Sequence, residues 1–251
     1  MKLAKDPFEI EIYVIGKPGF LRNPNLERDL PGRNLNFVEP VRVASAREAL
    51  SSHDMEANMH LFGRELLSGE VGCRVAHEKA RSRIHGDWAL VLEDDAAISR
   101  EQIEVAAEFL SRLEPEVPTV VTLHDQNHVD KGRPELKKLK YMPGTTLAYF
   151  VSRPAAQLDL LDNRSVGTAD WPLSFARAKF FSLSGLGVGE YEAESSIDRS
   201  GKVRGRSVSR HYFQVLKALP ALIQQLGPSV INFALIWPIR RDLSGRLSRI
   251  R

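Results

Sequence analysis

A chain of 251 residues with 43% hydrophobic content can bury a sizeable core, and at about 100 to 200 residues per domain it suits one main domain with an appendage. Its single cysteine, Cys73, excludes an intramolecular disulfide and a cysteine-built metal cluster, and favours a reducing cytoplasmic setting. The formal net charge of +3 conceals a split: residues 199–251 carry eleven Lys or Arg against one acid, Asp242, leaving 24 basic and 31 acidic residues in 1–198, an acidic body ahead of a basic tail.

The opening MKLAKDPFEIEIYVIGK has Asp6, Glu9 and Glu11 where a secretory signal needs an apolar core of about 7 to 15 residues, so secretion is not expected. IEIYVI at 10–15 reads as a strand, and Gly16, Pro18, Gly19, Asn23, Pro24 and Pro31 carry it into a long loop. A second strand is predicted at 36–43. Helices follow at 44–56, opened by Ser45, and at 69–84, where Cys73, Ala76, Ala80 and Ile84 are spaced three and four apart. The run 88–92 is a buried strand. After it, 99–113 is a helix capped by Ser99 with Glu101 and Glu104 near its positive end. Strands at 119–123 and 147–152 come next, then a short helix at 154–161 with Pro154 in its first turn. This alternation predicts an α/β domain over 1–198 with a mostly parallel central sheet flanked by helices, followed by a helical basic extension over 199–251.

Within it, WALVLEDDAAI at 88–98 ends an apolar strand in three adjacent acids. In open α/β sheets ligands bind beyond the carboxyl ends of strands. Alternation along an extended segment lets Glu93 and Asp95 point the same way while Asp94 faces elsewhere, two hard oxygen ligands for Mn²⁺ or Mg²⁺. The competing reading is an acid cluster compensating the positive end of the helix that follows. His77, on the apolar side of its helix, reads as a satisfied core histidine. Glu70 has two readings, a substrate contact or compensation of the helix dipole. HDQNH at 124–128 reads as a loop, with His124 a substrate contact in preference to a zinc ligand.

SGEVGCRVAHEKA at 68–80, WALVLEDDAAI at 88–98, GTTLAYFVSRPAAQLDLL at 144–161 and DWPL at 170–173 together resemble glycosyltransferase family 25. These are the bacterial lipopolysaccharide and lipooligosaccharide sugar transferases related to collagen galactosyltransferases. The resemblance covers roughly residues 10–198 and departs at the amino end, where IYVIGKPGFLRNPNLERDL and EPVRV replace the family's usual segments. It implies a GT-A fold and transfer, with inversion, from a nucleotide-sugar donor to a saccharide or lipid-linked saccharide acceptor. A UDP-sugar carrying galactose is the first donor to consider. By the same resemblance Glu93 and Asp95 map onto the D-x-D motif that holds Mn²⁺ or Mg²⁺ against the donor, with Asp94 beside them and Arg22 or Arg28 within reach of a diphosphate. Asp170 then corresponds to the acidic base that inverting transfer needs. Trp171 would stack on a sugar face. The bland alternative makes Asp170 a helix cap and Trp171 a core residue.

The tail has Tyr212, Val215, Leu216, Leu219, Leu222, Ile223 and Leu226 at helical spacing, and Trp237 near Arg240 and Arg241. Its longest apolar run, 230–239, holds Asn232 and Pro238 and falls short of the roughly 20 residues that span a bilayer. Two readings stand: a helix docked on the body, or peripheral attachment to an anionic membrane surface on the cytoplasmic side. Nucleic acid is not an expected partner, since no stacking or groove-reading motif accompanies the arginines. The sequence thus points to a cytoplasmic, membrane-associated, metal-dependent inverting glycosyltransferase. A metal-dependent phosphoesterase and a non-catalytic binding protein of the same fold are the alternatives.

Overall fold

Successive residues of the first strand, β1 (Glu11–Ile15), are buried on opposite sides, Ile12 and Val14 in one cluster and Tyr13 and Ile15 in another. A strand apolar on both faces needs helices above and below it. The computed structural model describes residues 10–43, 52–62, 66–124, 132–139, 146–161 and 171–191, and there β1 sits inside a seven-stranded sheet. After β1 come a short helix α1 (Leu26–Asp29), β2 (Leu35–Val38), α2 (Ser52–Phe62), α3 (Ser68–Arg81) and β3 (Trp88–Glu93). Next are β4 (Ala96–Ala97), α4 (Arg100–Leu110), β5 (Thr119–Thr122), β6 (Glu135–Leu139), β7 (Ala148–Ser152) and α5 (Arg153–Leu161). A 3-10 turn (Leu173–Arg177), β8 (Lys179–Ser184) and β9 (Gly189–Glu190) complete the described chain.

The large sheet has the order β2-β1-β3-β7-β5-β8-β6. Parallel pairings join β1 to β2 and β3, and β5 to β8. Strand β7 runs antiparallel to both β3 and β5, and β6 runs antiparallel to β8. The sheet is therefore mixed, five strands in one direction and β6 and β7 reversed.

One face is closed by α4 through Ile103, Ala106 and Leu110, and by Leu26 and Leu30 at α1, against Ile12, Val14, Leu90, Leu92, Val121 and Phe150. The other face is closed by Ala76 and Ala80 of α3, Ala155 and Ala156 of α5, and the aromatic group Trp171, Phe175 and Phe180. Each large aliphatic side chain buried in this way contributes about 1.5–3 kcal/mol. The helix ends are closed locally: the Ser99 hydroxyl accepts from the Gln102 amide at 3.4 Å, and the Gln102 side chain accepts from the Ser99 amide at 2.6 Å. The predicted cap is thus present, on a helix shorter than the predicted 99–113.

Some expectations shift. The second strand stops at Val38, short of residue 43, and the helix expected at 44–56 is described over Ser52–Phe62, with residues 44–51 outside the described part. The tail from 199 lies wholly outside the described residues, and so does its membrane reading. Among the described residues no helix is long and apolar enough to cross a membrane.

Helix α3 lies close to the segment after β2. A Cβ on Gly72 would stand 2.1 Å from the Val41 carbonyl oxygen, so backbone meets backbone there and only glycine fits. Gly72→Ala should cost about 1–3 kcal/mol by forcing the two apart. Urea unfolding would read this as a lower midpoint with an unchanged slope; an unchanged midpoint would mean the contact is not maintained in solution.

Candidate functional site

Strand β1 leads to β2 on one side and the chain then returns to β3 on the other, so the order of the sheet reverses between β1 and β3. Such a reversal opens a crevice beyond the carboxyl ends of the two strands. Their last residues, Ile15 and Glu93, are paired in register. The loop after β1 and the acid turn after β3 therefore face each other across that crevice.

They are bound together closely. The Arg22 guanidinium donates from Nε to Asp94 Oδ1 at 2.7 Å, with Nη2 at 2.6 Å from the same oxygen and Nη1 at 2.8 Å from Asp95 Oδ2. Asn23, almost fully buried, donates from its side chain to the Ala96 carbonyl at 2.8 Å, while its amide donates to the Asp94 carbonyl at 2.8 Å. Gly16 makes the approach possible, because a Cβ there would meet Leu21 Cδ2 at 2.5 Å and Asp94 Cβ at 3.0 Å. Beyond the turn, β4 pairs with β9, and the Tyr191 amide donates to the Asp95 carbonyl at 2.7 Å. The acid turn is thus braced from both sides.

Strand β3 ends at Glu93, and Asp94 and Asp95 lie in a turn. Alternation does not extend into a turn, so the expected pairing of Glu93 with Asp95 is corrected: Asp94 and Asp95 share Arg22, and Glu93 has other partners. Its Oε1 accepts from the Thr146 hydroxyl at 2.6 Å and lies 3.5 Å from His77 Nε2. Burial alone would raise the Glu93 carboxyl, but the hydrogen bonds from His77 and Thr146, with the His77 and Arg22 charges, hold it below the usual carboxylate range.

Asp95 goes the other way. Burial pushes it up to about 7, and although Arg22 opposes the rise, the charges of Glu93, Asp94 and Glu190 add to it. Its side chain is 4% exposed, and Oδ1 is buried with no hydrogen-bond partner among the described residues. Among the described residues, the one guanidinium bound to Asp94 and Asp95 is too little positive charge for this set of acids. A hard divalent cation suits such a site, since Asp95 Oδ1 is an open oxygen donor and Asp94 lies beside it; Glu93 is engaged elsewhere.

The remaining candidates divide. Arg28 is exposed and reaches Asp29 at 3.3 Å, away from the acid turn. Glu70 accepts from the Leu67 amide at 2.8 Å at the start of α3. His77 is buried, with Nδ1 3.0 Å from the Tyr149 hydroxyl and Nε2 3.5 Å from Glu93. His124 lies past the end of β5 and contacts the Val188 carbonyl at 3.1 Å, on the segment that leads into β9. Trp171 is corrected as a sugar-stacking residue: it is 1% exposed and packs edge-on against Tyr149 and Phe180 at 5.0 and 5.4 Å. Asp170, the expected base, lies outside the described residues, as does His128.

Two further residues at this end of the sheet were missed in the sequence. Glu190 acts on Asp95 across 95 positions of chain because β9 folds back on β4, which no local pattern announces. Phe20, 76% exposed with Lys17 Nζ 5.3 Å from its ring, stands on the same loop as Arg22; an apolar side chain in a Pro- and Gly-rich loop was the available clue.

No protein-family model matches the chain, and a search of the curated proteins returns no match either.

Proposed function

We propose that the chain is an inverting glycosyltransferase with a GT-A-like domain, which takes a sugar from a nucleotide-diphosphate donor and passes it to a saccharide acceptor. The observation that carries this reading is the braced acid turn at the switch point between β1 and β3, where Asp95 is buried with an open oxygen beside Asp94 and Arg22. Acids at that place suit a nucleotide diphosphate held through a divalent cation, because a sheet reversal offers a crevice and diphosphate alone would be repelled.

Asp95, with Asp94 beside it, would hold Mn²⁺ or Mg²⁺, and the ion when bound supplies Lewis-acid stabilisation of the charge on the departing diphosphate. Arg22 holds the two carboxylates in position and adds a fixed positive charge at the same spot. Gly16 and Asn23 keep the loop after β1 against the turn, so the crevice is shaped before substrate arrives. The base is assigned to Asp170, from the family resemblance.

The test is a panel of nucleotide-sugars, UDP-sugars first, scored for binding and for sugar transfer with Mn²⁺ and with chelator. Transfer that needs the ion is expected; phosphate-ester hydrolysis without transfer, or no nucleotide binding at all, would overturn the reading. Asp170→Asn should lower turnover by roughly 10² or more with donor affinity near wild type, because it removes a proton acceptor and keeps the shape. Donor affinity falling in step with turnover would make Asp170 a structural cap.

A further inference from the structure

The acid turn leaves Glu93 on the side of the strand that faces α3. There Cys73, His77 and Glu93 place a sulfur, a ring nitrogen and a carboxylate oxygen all within 4.8 Å of one another. We propose that these three residues form a second metal site, for a borderline-soft ion of the Zn²⁺ class, separate from the hard-cation site at Asp95 and independent of the transfer reaction proposed above.

The spacing favours it. Cys73 and His77 are four apart on α3 and so share one face of that helix, one turn apart. His77 Nε2 and Glu93 Oε1 are 3.5 Å apart. A charge-assisted hydrogen bond between such groups is about 2.7–2.9 Å, whereas two ligands at about 2.0–2.2 Å from one tetrahedral zinc are separated by about 3.4 Å. The observed contact is longer than such a hydrogen bond and leaves the separation that two ligands on a common ion would have. The Cys73 sulfur, within 4.8 Å of the other two ligand atoms, would close to about 3.5 Å from each on a common ion.

The surroundings are those a metal-bound histidine requires. The other ring nitrogen of His77, Nδ1, is held 3.0 Å from the Tyr149 hydroxyl, and that hydroxyl accepts from Arg81 Nη1 at 3.2 Å. If Nδ1–H donates to Tyr149, an ion that takes the place of the Nε2 proton facing Glu93 meets the lone pair of that nitrogen. Thr146 donates to Glu93 Oε1 at 2.6 Å and orients that carboxylate. The site is not sealed, because Cys73 is partly exposed and the Glu93 side chain is 23% exposed, so an ion can enter and solvent can take the fourth position. A nitrogen, a thiolate and one carboxylate select Zn²⁺ or Co²⁺ over Mg²⁺ or Mn²⁺. On binding, the ion displaces the Cys73 thiol proton and the His77 Nε2 proton that faces Glu93, and both pass to solvent.

Co²⁺ added to the chelator-treated full-length protein reports the donor set directly. One Co²⁺ bound through the Cys73 thiolate is expected per chain, with an intense thiolate-to-cobalt absorption and the strong d–d bands of four-coordinate cobalt, displaced by Zn²⁺ whether or not the oxygen site at Asp95 also takes up cobalt. Cys73→Ser should remove the thiolate band and weaken binding by roughly tenfold or more, while Asp95→Asn should keep the spectrum. Cobalt bound without a thiolate band, or with a band that survives Cys73→Ser, would overturn the proposal. The wild-type protein gives a second reading that needs no variant. Cys73 is the only cysteine, so Zn²⁺ should slow its reaction with a thiol reagent by about tenfold or more, since the bound thiolate is no longer a free nucleophile, and Mg²⁺ should not. An unchanged rate with Zn²⁺ leaves a buried histidine–glutamate pair and no site.

Discussion

Asp95→Asn should lower turnover by on the order of 10² to 10⁴ and, with chelator present at pH 8, should leave the fold at least as stable as wild type. The first effect follows from the loss of one charged oxygen from the proposed cation site, worth several kcal/mol in the transition state. The second follows from where the carboxyl is held. Burial raises Asp95 from 3.8 to about 7 against the pull of Arg22. A carboxyl whose pKa is higher in the folded than in the unfolded chain binds its proton more tightly when folded. Its contribution to stability is full below about pH 4 and is lost as pH rises through about 7. The whole shift corresponds to roughly 4 kcal/mol as an upper figure.

Wild type in chelator should therefore lose stability between pH 5 and pH 8, and Asp95→Asn, which cannot ionise, should flatten that part of the profile. Adding Mn²⁺ at pH 8 should restore stability to wild type and not to the variant, since an ion that binds only the folded chain stabilises it. Thermal unfolding at the two pH values, with and without the ion, separates these outcomes. Full turnover of Asp95→Asn would remove the residue from the proposed mechanism, and a variant less stable than wild type at pH 8 in chelator would mean that the ionised carboxylate is a net support of the fold.

The strands and helices that pack at the centre were legible because their apolar residues follow one period: 88–92 is continuously apolar, and α3 repeats every three or four residues. The direction of β7 was not. Ala148–Ser152 is buried throughout, and a strand apolar on both faces reads the same whichever way it runs. Strand β6, with Lys137 and Lys138 in ELKKL, lies on the edge of the sheet, where charged residues guard the open hydrogen-bonding groups; its composition imitates a loop. In β8, Ser182 is buried among Phe180 and Leu183, which breaks the apolar run. At the site, the acids and Arg22 could be read as chemistry, but their pairing depended on where β3 ends. Extending the two-residue period by two positions placed Glu93 with Asp95, and a turn placed Asp94 there instead. Trp171 illustrates the opposite limit, since an indole that suits a sugar face also suits a core, and only the neighbouring aromatics decide between them.

Arg22→Ala should cost stability through the same turn. Breaking a fully buried ion pair by removing one partner costs about 3–5 kcal/mol, because a buried charge is left alone. Arg22 and Asp94 are 23% and 22% exposed, so water screens part of the loss and roughly 2–3 kcal/mol is expected. Asp95, at 4% exposed, bears most of it. Deprived of Arg22, its carboxyl should titrate still higher than about 7, and the loss should be larger at pH 8 than at pH 5. The double variant Arg22→Ala/Asp95→Asn distinguishes this cause from simple loss of packing. Once Asp95 is uncharged, removing Arg22 should cost much less, so the two changes should fail to add by about 1 kcal/mol or more, as expected of groups in direct contact. Additive losses at pH 8, measured by urea unfolding in chelator, would mean that Arg22 supports the loop after β1 through its packing and that the charge of Asp95 is offset by other groups.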